Sequence, residues 1–393
     1  MSIFPKIEKI TRDATISHFL LMFGYKLYSF YFPLFLVAKG FSLAQVGYTS
    51  FLIYLPIAIF APIAGFLNHK INPAVLSSIG IAGYGIHAAG MIIFPNFLSF
   101  YLLQVILGIS AALFFVSSRS MLMGSHLENH DQSFAWFYSA NTYAAAVSPA
   151  IGAVLIWKFG FTGVFILSLI FQLFNAVFTF SRRGQISHLS SGIKIKEVGR
   201  NYLDAGRELK KRNALPFVLI SFLVLVLAGF NNTFFVLFLK NLGWSQNLIL
   251  VFNSILSLAF LPISFWIIKQ VARFKSEFNI SSGGQLAGIF SVLLGGLAAL
   301  LNFYSAFLIM LGQAVGDLIS SSGRSGLLSL RLKKNPEESA AIDTIFSPLA
   351  TAFGSLAGGL IIGFLGFPLV FVAGGVLLFG AGTIGRRFAK KQK

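Results

Sequence analysis

Phe32 to Ser42 reads FPLFLVAKGFS, and 203 residues further on Phe235 to Ser245 reads FVLFLKNLGWS. Six of the eleven positions are identical, and Phe41 is answered by Trp244. The echo runs outward at nearly constant spacing. Pro56 matches Pro262, Gly83 matches Gly288, Gly90 matches Gly295 and Asn96-Phe97 matches Asn302-Phe303. Arg119 then matches Arg324, and Gly160-Phe161 matches Gly366-Phe367. A period of about 205 in a chain of 393 residues means two copies of one structural unit.

Composition places both copies in a bilayer. Hydrophobic residues make up 56% and charged residues 11%, with a mean hydropathy of +0.80. Soluble domains carry about 25% charged residues, so this chain lacks the polar surface needed to face water. Repeats of this size in such a chain point to transport across a membrane. Cysteine is absent, which excludes disulfides, thiolate catalysis and cysteine metal sites. The first apolar run is too long for the h-region of a cleavable signal.

A helix needs about 20 apolar residues to cross a bilayer. Twelve stretches qualify: 14–38, 43–67, 73–94, 97–123, 134–157, 161–181, 216–239, 246–268, 281–301, 303–325, 339–364 and 366–385. All are expected to be helices, because unpaired backbone groups find no partner in hydrocarbon and period-two alternation is lacking. With both termini inside, 24 of the 30 Lys and Arg fall on the cytoplasmic side, three outside (Lys39, Lys158, Lys240) and three within spans (Lys26, Arg119, Arg324). That asymmetry orients the chain as a multi-pass protein of the cell membrane with cytoplasmic termini. It also accounts for the net charge of +18 through anionic lipids at the cytoplasmic face rather than nucleic acid. Three parts follow: a six-helix bundle over 1–181, a basic linker over 182–215, and a second bundle with a basic tail over 216–393. In the linker, Ile195, Val198, Tyr202 and Leu209 recur at helical spacing, so part of it is expected to lie on the membrane surface.

Six spans per copy is an even number, so both copies point the same way. Twelve helices in two parallel, pseudo-symmetric bundles with a basic central loop resemble the major facilitator superfamily, over essentially the whole chain. Its local motifs are only partly kept. The loop after the second helix has Gly65, Leu67 and the charge of Lys70, but His69 stands where the family has an acid. In the fifth helix, AAAVSPAIGA (144–153) keeps Pro149 and Gly152 of a pattern the family associates with exporters. In the fourth helix Gln104 stands where the family often has arginine.

Charges inside spans cost about 2.5–3.5 kcal/mol each and need a reason. Lys26 sits near the middle of the first span and Asp317 about 8 residues from the cytoplasmic end of the tenth. The resemblance puts both helices around a central cavity. Either the two form an ion pair that joins the halves, or Lys26 meets a polar or anionic substrate group and Asp317 exchanges a proton. Tyr25, Tyr28, Gln104, Asn141, Asn231, Asn232 and Gln313 are the polar neighbours expected to bind substrate; each could equally serve as glue between helices. A cytoplasmic gate is expected from Arg119 with Asp343, and from Arg324 with Asp131 or Glu128, the alternative being arginines that reach lipid phosphates.

His126 and His130 are four apart with Glu128 between them, which is not a zinc-protease spacing, so no metal is expected. No cofactor, nucleotide-binding loop or nucleophile–base set is present, and the chain reads as no enzyme. The sequence therefore predicts a monomeric secondary transporter of a small solute, coupled to protons or another ion. It leans to efflux of amphiphilic compounds, with uptake of an anionic metabolite or sugar as the alternative. A rival of another class is a membrane protein that does not transport, such as a lipid scramblase or a sensor.

Overall fold

Asparagine side chains open many of the helices in this computed structural model: Asn72, Asn96, Asn129 and Asn302 each accept from a backbone N–H of the first turn. A short polar side chain ahead of an apolar run satisfies donors that lack an intrahelical partner. The structure describes residues 7–391 apart from 30, 33–34, 37–38, 41–42, 95, 186–194, 212–213 and 334–335, and the backbone alone at several helical positions, Asn232 among them.

The first copy holds α1 (Lys9–Ser29), α2 (Leu43–Asn68), α3 (Pro73–Ile93) and α4 (Phe97–Met123), followed by a 52-residue helix, His130–Ser181. That helix breaks at Gly160 into α5 (130–159) and α6 (161–181). After the linker helix α7 (Ile195–Lys211), the second copy holds α8 (Leu215–Asn241), α9 (Gln246–Val271), α10 (Ser276–Gly296) and α11 (Phe303–Arg331). The 56-residue helix Pro336–Lys391 breaks at Gly366 into α12 (336–365) and α13 (367–391). Apart from α7, the described residues thus hold twelve long helices, six to a copy.

The glycines conserved between copies have a conformational reason. Gly40 and Gly243 have φ of 90° and 86°, and Gly160 and Gly366 have φ of 66° and 72°. These are left-handed conformations that side chains with a Cβ resist, and they come in two repeat-related pairs. The connections expected at 158–160 and at 365 are breaks at Gly160 and Gly366, because one such glycine suffices to turn the chain.

The outside of the bundle is apolar and the inside partly polar, the reverse of a soluble protein. Trp157, Phe159, Val177, Phe364 and Leu377 are exposed, whereas Ser168, Gln172, Asn175 and His87 are buried. Among the described residues, six stretches are apolar enough to cross a bilayer on their own: Pro73–Ile93, Phe97–Met123, Val154–Ser181, Val251–Val271, Phe303–Arg331 and Phe364–Lys390. α1 is less apolar because it turns Thr11, Asp13, Ser17 and His18 inward. It also starts at Lys9, earlier than the expected 14, since its polar first turns extend the helix beyond the apolar run.

The two copies point the same way. The turn after the second helix of the first copy, at His69, meets Glu338 at the start of α12. The turn after the second helix of the second copy, at Ala272, meets Asn129 at the start of α5. An inverted copy would put those turns at opposite ends. Backbone crossings repeat as well. A Cβ on Gly152 would run into the Leu27 carbonyl of α1, and one on Gly354 would run into the Val226 carbonyl of α8.

Candidate functional site

Between the copies lies a cavity of about 540 Å³. α1 contributes His18, Met22 and Tyr25, a single helical face. Tyr54 and Tyr84 add two more phenols, and the aliphatic wall includes Ile53, Ile57 and Leu107. From the second copy α11 contributes Ala314, Asp317, Leu318, Ser321 and Arg324, and α12 contributes Thr344, Ser347 and Pro348.

The floor of the cavity is a buried ionic cluster. The Asp343 carboxylate, fully buried, accepts from Arg324 Nε at 2.6 Å, Ser325 Oγ at 2.6 Å and Tyr138 Oη at 2.9 Å. Arg119 of the first copy approaches the same carboxylate to 3.3 Å, and its Nη1 donates to Thr344 Oγ1 at 2.6 Å. The Arg119 guanidinium also lies 5.5 Å from the ring centres of Phe115 and Tyr138. Two guanidinium groups share one carboxylate here. Charges buried this deeply are costly unless paired and hydrogen-bonded; the neighbouring hydroxyls supply several of those bonds, while Arg119 Nε stays buried with no hydrogen-bond partner.

The expected partner for Arg324 is therefore corrected. Arg324 pairs with Asp343 on its own side rather than with Asp131 or Glu128. Asp131 is held by Ser276 Oγ at 2.8 Å and Asn279 Nδ2 at 2.6 Å, both from α10. Those bonds cross between copies, as do His130 with Ser329 at 2.7 Å and Tyr143 with Ser264 at 2.5 Å. His69 Nε2 lies 2.9 Å from Glu338 Oε1, with both side chains buried. His69 thus faces an acid across the interface from the loop position where the family carries an acid. Lys70 instead rests its ammonium 4.8 Å from the Phe66 ring. Gly65 and Leu67 lie on the last turns of α2 leading into this loop.

Asp317 stands apart from these partnered groups. It lines the cavity, and its Oδ1 is buried with no hydrogen-bond partner. The possible ion pair with Lys26 is not formed. Lys26 is half-buried and does not line the cavity, because it sits about 100° round α1 from Tyr25. Tyr28 also turns away: its hydroxyl lies 2.9 Å from His87 Nδ1, and Gln104 Nε2 lies 3.3 Å from the other ring nitrogen. Tyr28 and Gln104 thus belong to the interior of the first bundle. Asn141 does line the cavity, as Tyr25 does. Asn231 and Gln313 are buried outside its lining, and the side chain of Asn232 lies outside the described residues. Gly152 packs against Leu27 of α1, and the Pro149 carbonyl accepts from Tyr31 Oη, just beyond that helix, at 3.0 Å.

Sequence reading missed Tyr54, Tyr84, Tyr138, Thr344 and Glu338. One of them had a signal. Tyr138 precedes Asp343 by 205 residues, the same interval that separates Arg119 from Arg324.

The sequence profile of the Major Facilitator Superfamily matches residues 14–334. The chain belongs to that superfamily. No curated protein sequence matches it significantly. Among solved structures, it is similar to the human organic anion transporter MFSD10 (TETRAN), at 15% identity and a TM-score of 0.73, with 96% of this chain and 98% of that one covered. It is similar also to a bacterial homologue of the iron transporter ferroportin in an outward-facing state, at 14% identity and a TM-score of 0.74, with 97% and 100% covered. A third likeness, to the E. coli fucose:proton symporter FucP, has 13% identity and a TM-score of 0.74, with 96% and 98% covered. At these identities the likenesses carry the fold. Members of this superfamily are secondary transporters, and this chain is a multi-pass membrane transporter of a small solute rather than an enzyme.

Proposed function

We propose that this chain is a proton-coupled exporter of small amphiphilic solutes, with Asp317 as the proton-bearing group. The single observation behind this reading is the unpartnered carboxylate oxygen of Asp317 in a cavity walled by tyrosines and aliphatic side chains. A buried carboxylate without a cation is satisfied either by a proton or by a positive or hydrogen-bond-donating group of the solute, not by both at once. That competition at one oxygen is what exchange of solute against protons requires.

Alternating access would come from the bundles 1–181 and 216–393 rocking about the cavity, tethered by 182–215. With the basic end in the cytoplasm of the cell membrane, the contacts at His69, Asn129, Asp131 and Asp343 close the inner side, and the cavity belongs to an outward-facing form. Arg119 and Asp343 would act as the inner gate.

In vesicles with an imposed pH gradient, purified protein should drive ethidium, a lipophilic monocation, against its concentration. Asp317→Asn should cut gradient-driven movement at least tenfold while leaving exchange at equal pH. Full gradient-driven transport by Asp317→Asn would sink the reading. A second reading, symport of an anion, draws on Arg119 and Arg324 in the same lining. Benzoate accumulation in those vesicles, lost in Arg119→Gln, would favour it.

A further inference from the structure

A larger cavity, of about 800 Å³, opens at the basic end and is distinct from the central one. The first copy supplies the start of α5, from Glu128 to Asp131, and the second supplies the turn from Arg273 to Phe278 with the ends of α11 and α13. Its occupant would touch both copies.

The charges around this cavity do not balance. Of its acids, Glu277 is taken by Arg331 at 2.7 Å, and Asp131 is buried under Ser276 and Asn279. Glu128, the third, lies exposed at the rim. Among the described residues, Arg273, Lys275 and Lys390 have no acidic partner, and all three are exposed in the lining. Lys275 also precedes α10, whose first turn no side chain caps, so unpaired backbone N–H groups add to the positive field.

Apolar side chains flank these cations. Phe274, Leu330 and Phe388 are exposed at the same end, and Phe278 and Leu327 line the cavity wall. Three unpaired cations over an apolar wall, at the end of a membrane bundle, match an amphiphile with a negative headgroup. The apolar rim selects a lipid over a free anion, because a soluble phosphate would leave Phe274 and Leu330 uncovered.

We propose that this cavity is a binding site for the headgroup of an anionic phospholipid, held by Arg273, Lys275 and Lys390. Because its walls come from both copies, a bound lipid holds the basic end shut beside the Asp131 contacts. Opening that end separates the start of α5 from α10 and dismantles the site. The lipid therefore favours the closed conformation, and it does so whichever solute the central cavity carries.

The test uses the full chain in nanodiscs of phosphatidylcholine alone or with phosphatidylglycerol. Native mass spectrometry should find phosphatidylglycerol retained at least fivefold over phosphatidylcholine. Arg273→Gln, Lys275→Gln and Lys390→Gln combined should abolish that preference. These side chains are exposed, so an unchanged thermal unfolding midpoint certifies the variant's fold. The chain has no cysteine, so spin labels at His126→Cys and Arg387→Cys report separation of the basic ends. The closed population should rise with phosphatidylglycerol in the parent and stay constant in the triple variant. Equal retention of the two lipids, or retention unchanged in the variant, overturns the site. Displacement of the lipid by millimolar inorganic phosphate overturns the choice of a lipid, and labels that ignore phosphatidylglycerol overturn the bridging role.

Discussion

The two copies share a backbone plan and differ where charge is placed. Arg119 and Arg324 are repeat partners, and both reach the floor of the central cavity. Their counter-ion is not duplicated: position 343 is Asp, while its counterpart, 205 residues earlier, is Tyr138. Asp317 corresponds in the same way to Ala112, and Lys26, at the 203-residue interval of the first helices, to Gly229. Among the described residues, the carboxylates at the cavity and its floor, Asp317 and Asp343, come from the second copy. A symmetric cluster of two arginines and two aspartates would close on itself. Replacing one aspartate by tyrosine leaves a single carboxylate shared across the interface, so the contact between copies depends on one group.

The largest expected effect is at that group. Asp343→Asn leaves two buried guanidinium groups without an anion and should cost about 3–5 kcal/mol of stability. It should also make cysteines introduced at the basic end reactive, as that end opens. Moving the acid to the other copy, Tyr138→Asp with Asp343→Tyr, should recover part of the loss. If labelling and thermal unfolding are as poor in the exchange as in Asp343→Asn, the equivalence of the two positions is wrong.

Next in size come the paired backbone crossings. Gly152→Val and Gly354→Val should each lower stability by about 1–3 kcal/mol through overpacking, by similar amounts if the copies are mechanically equivalent. A large difference between their unfolding midpoints would break that symmetry. His69→Ala removes a buried polar contact across the interface and should cost about 1.5–3 kcal/mol if the imidazole is charged, and about 1 kcal/mol if it is neutral. Measuring it at pH 5.5 and 8 separates the two cases. Tyr143→Phe, which loses one neutral hydrogen bond to Ser264, should cost about 0.5–1.5 kcal/mol, a shift in thermal unfolding comparable to that of a neutral His69 and below the others.

Much of the fold was legible in the residues. The repeat, the apolar runs and the basic turns were enough for two parallel helical bundles, because hydrophobic length and backbone hydrogen bonding leave few alternatives in lipid. The site was legible in part. Asp317, Arg119, Arg324 and Asp343 stood out because charge within an apolar run is costly and so carries information. The choice of partners did not follow. Asp131, before α5, and Asp343, near the start of α12, were both expected at the same end of the molecule as Arg324, and only the packing of α11 against α12 decides for Asp343. Tyr25 and Lys26 are adjacent in sequence, yet only one faces the cavity, since neighbours on a helix point about 100° apart.

The order of residues alone determined that this chain is doubled, spans a bilayer and keeps its positive charge at one end. Those properties are sums over many residues, and single contacts do not alter them. Tertiary structure decided which carboxylate is shared, which is left bare and which polar side chains turn into the bundle instead of the cavity. These depend on the rotation of each helix about its axis, which close packing between helices sets and hydropathy does not encode.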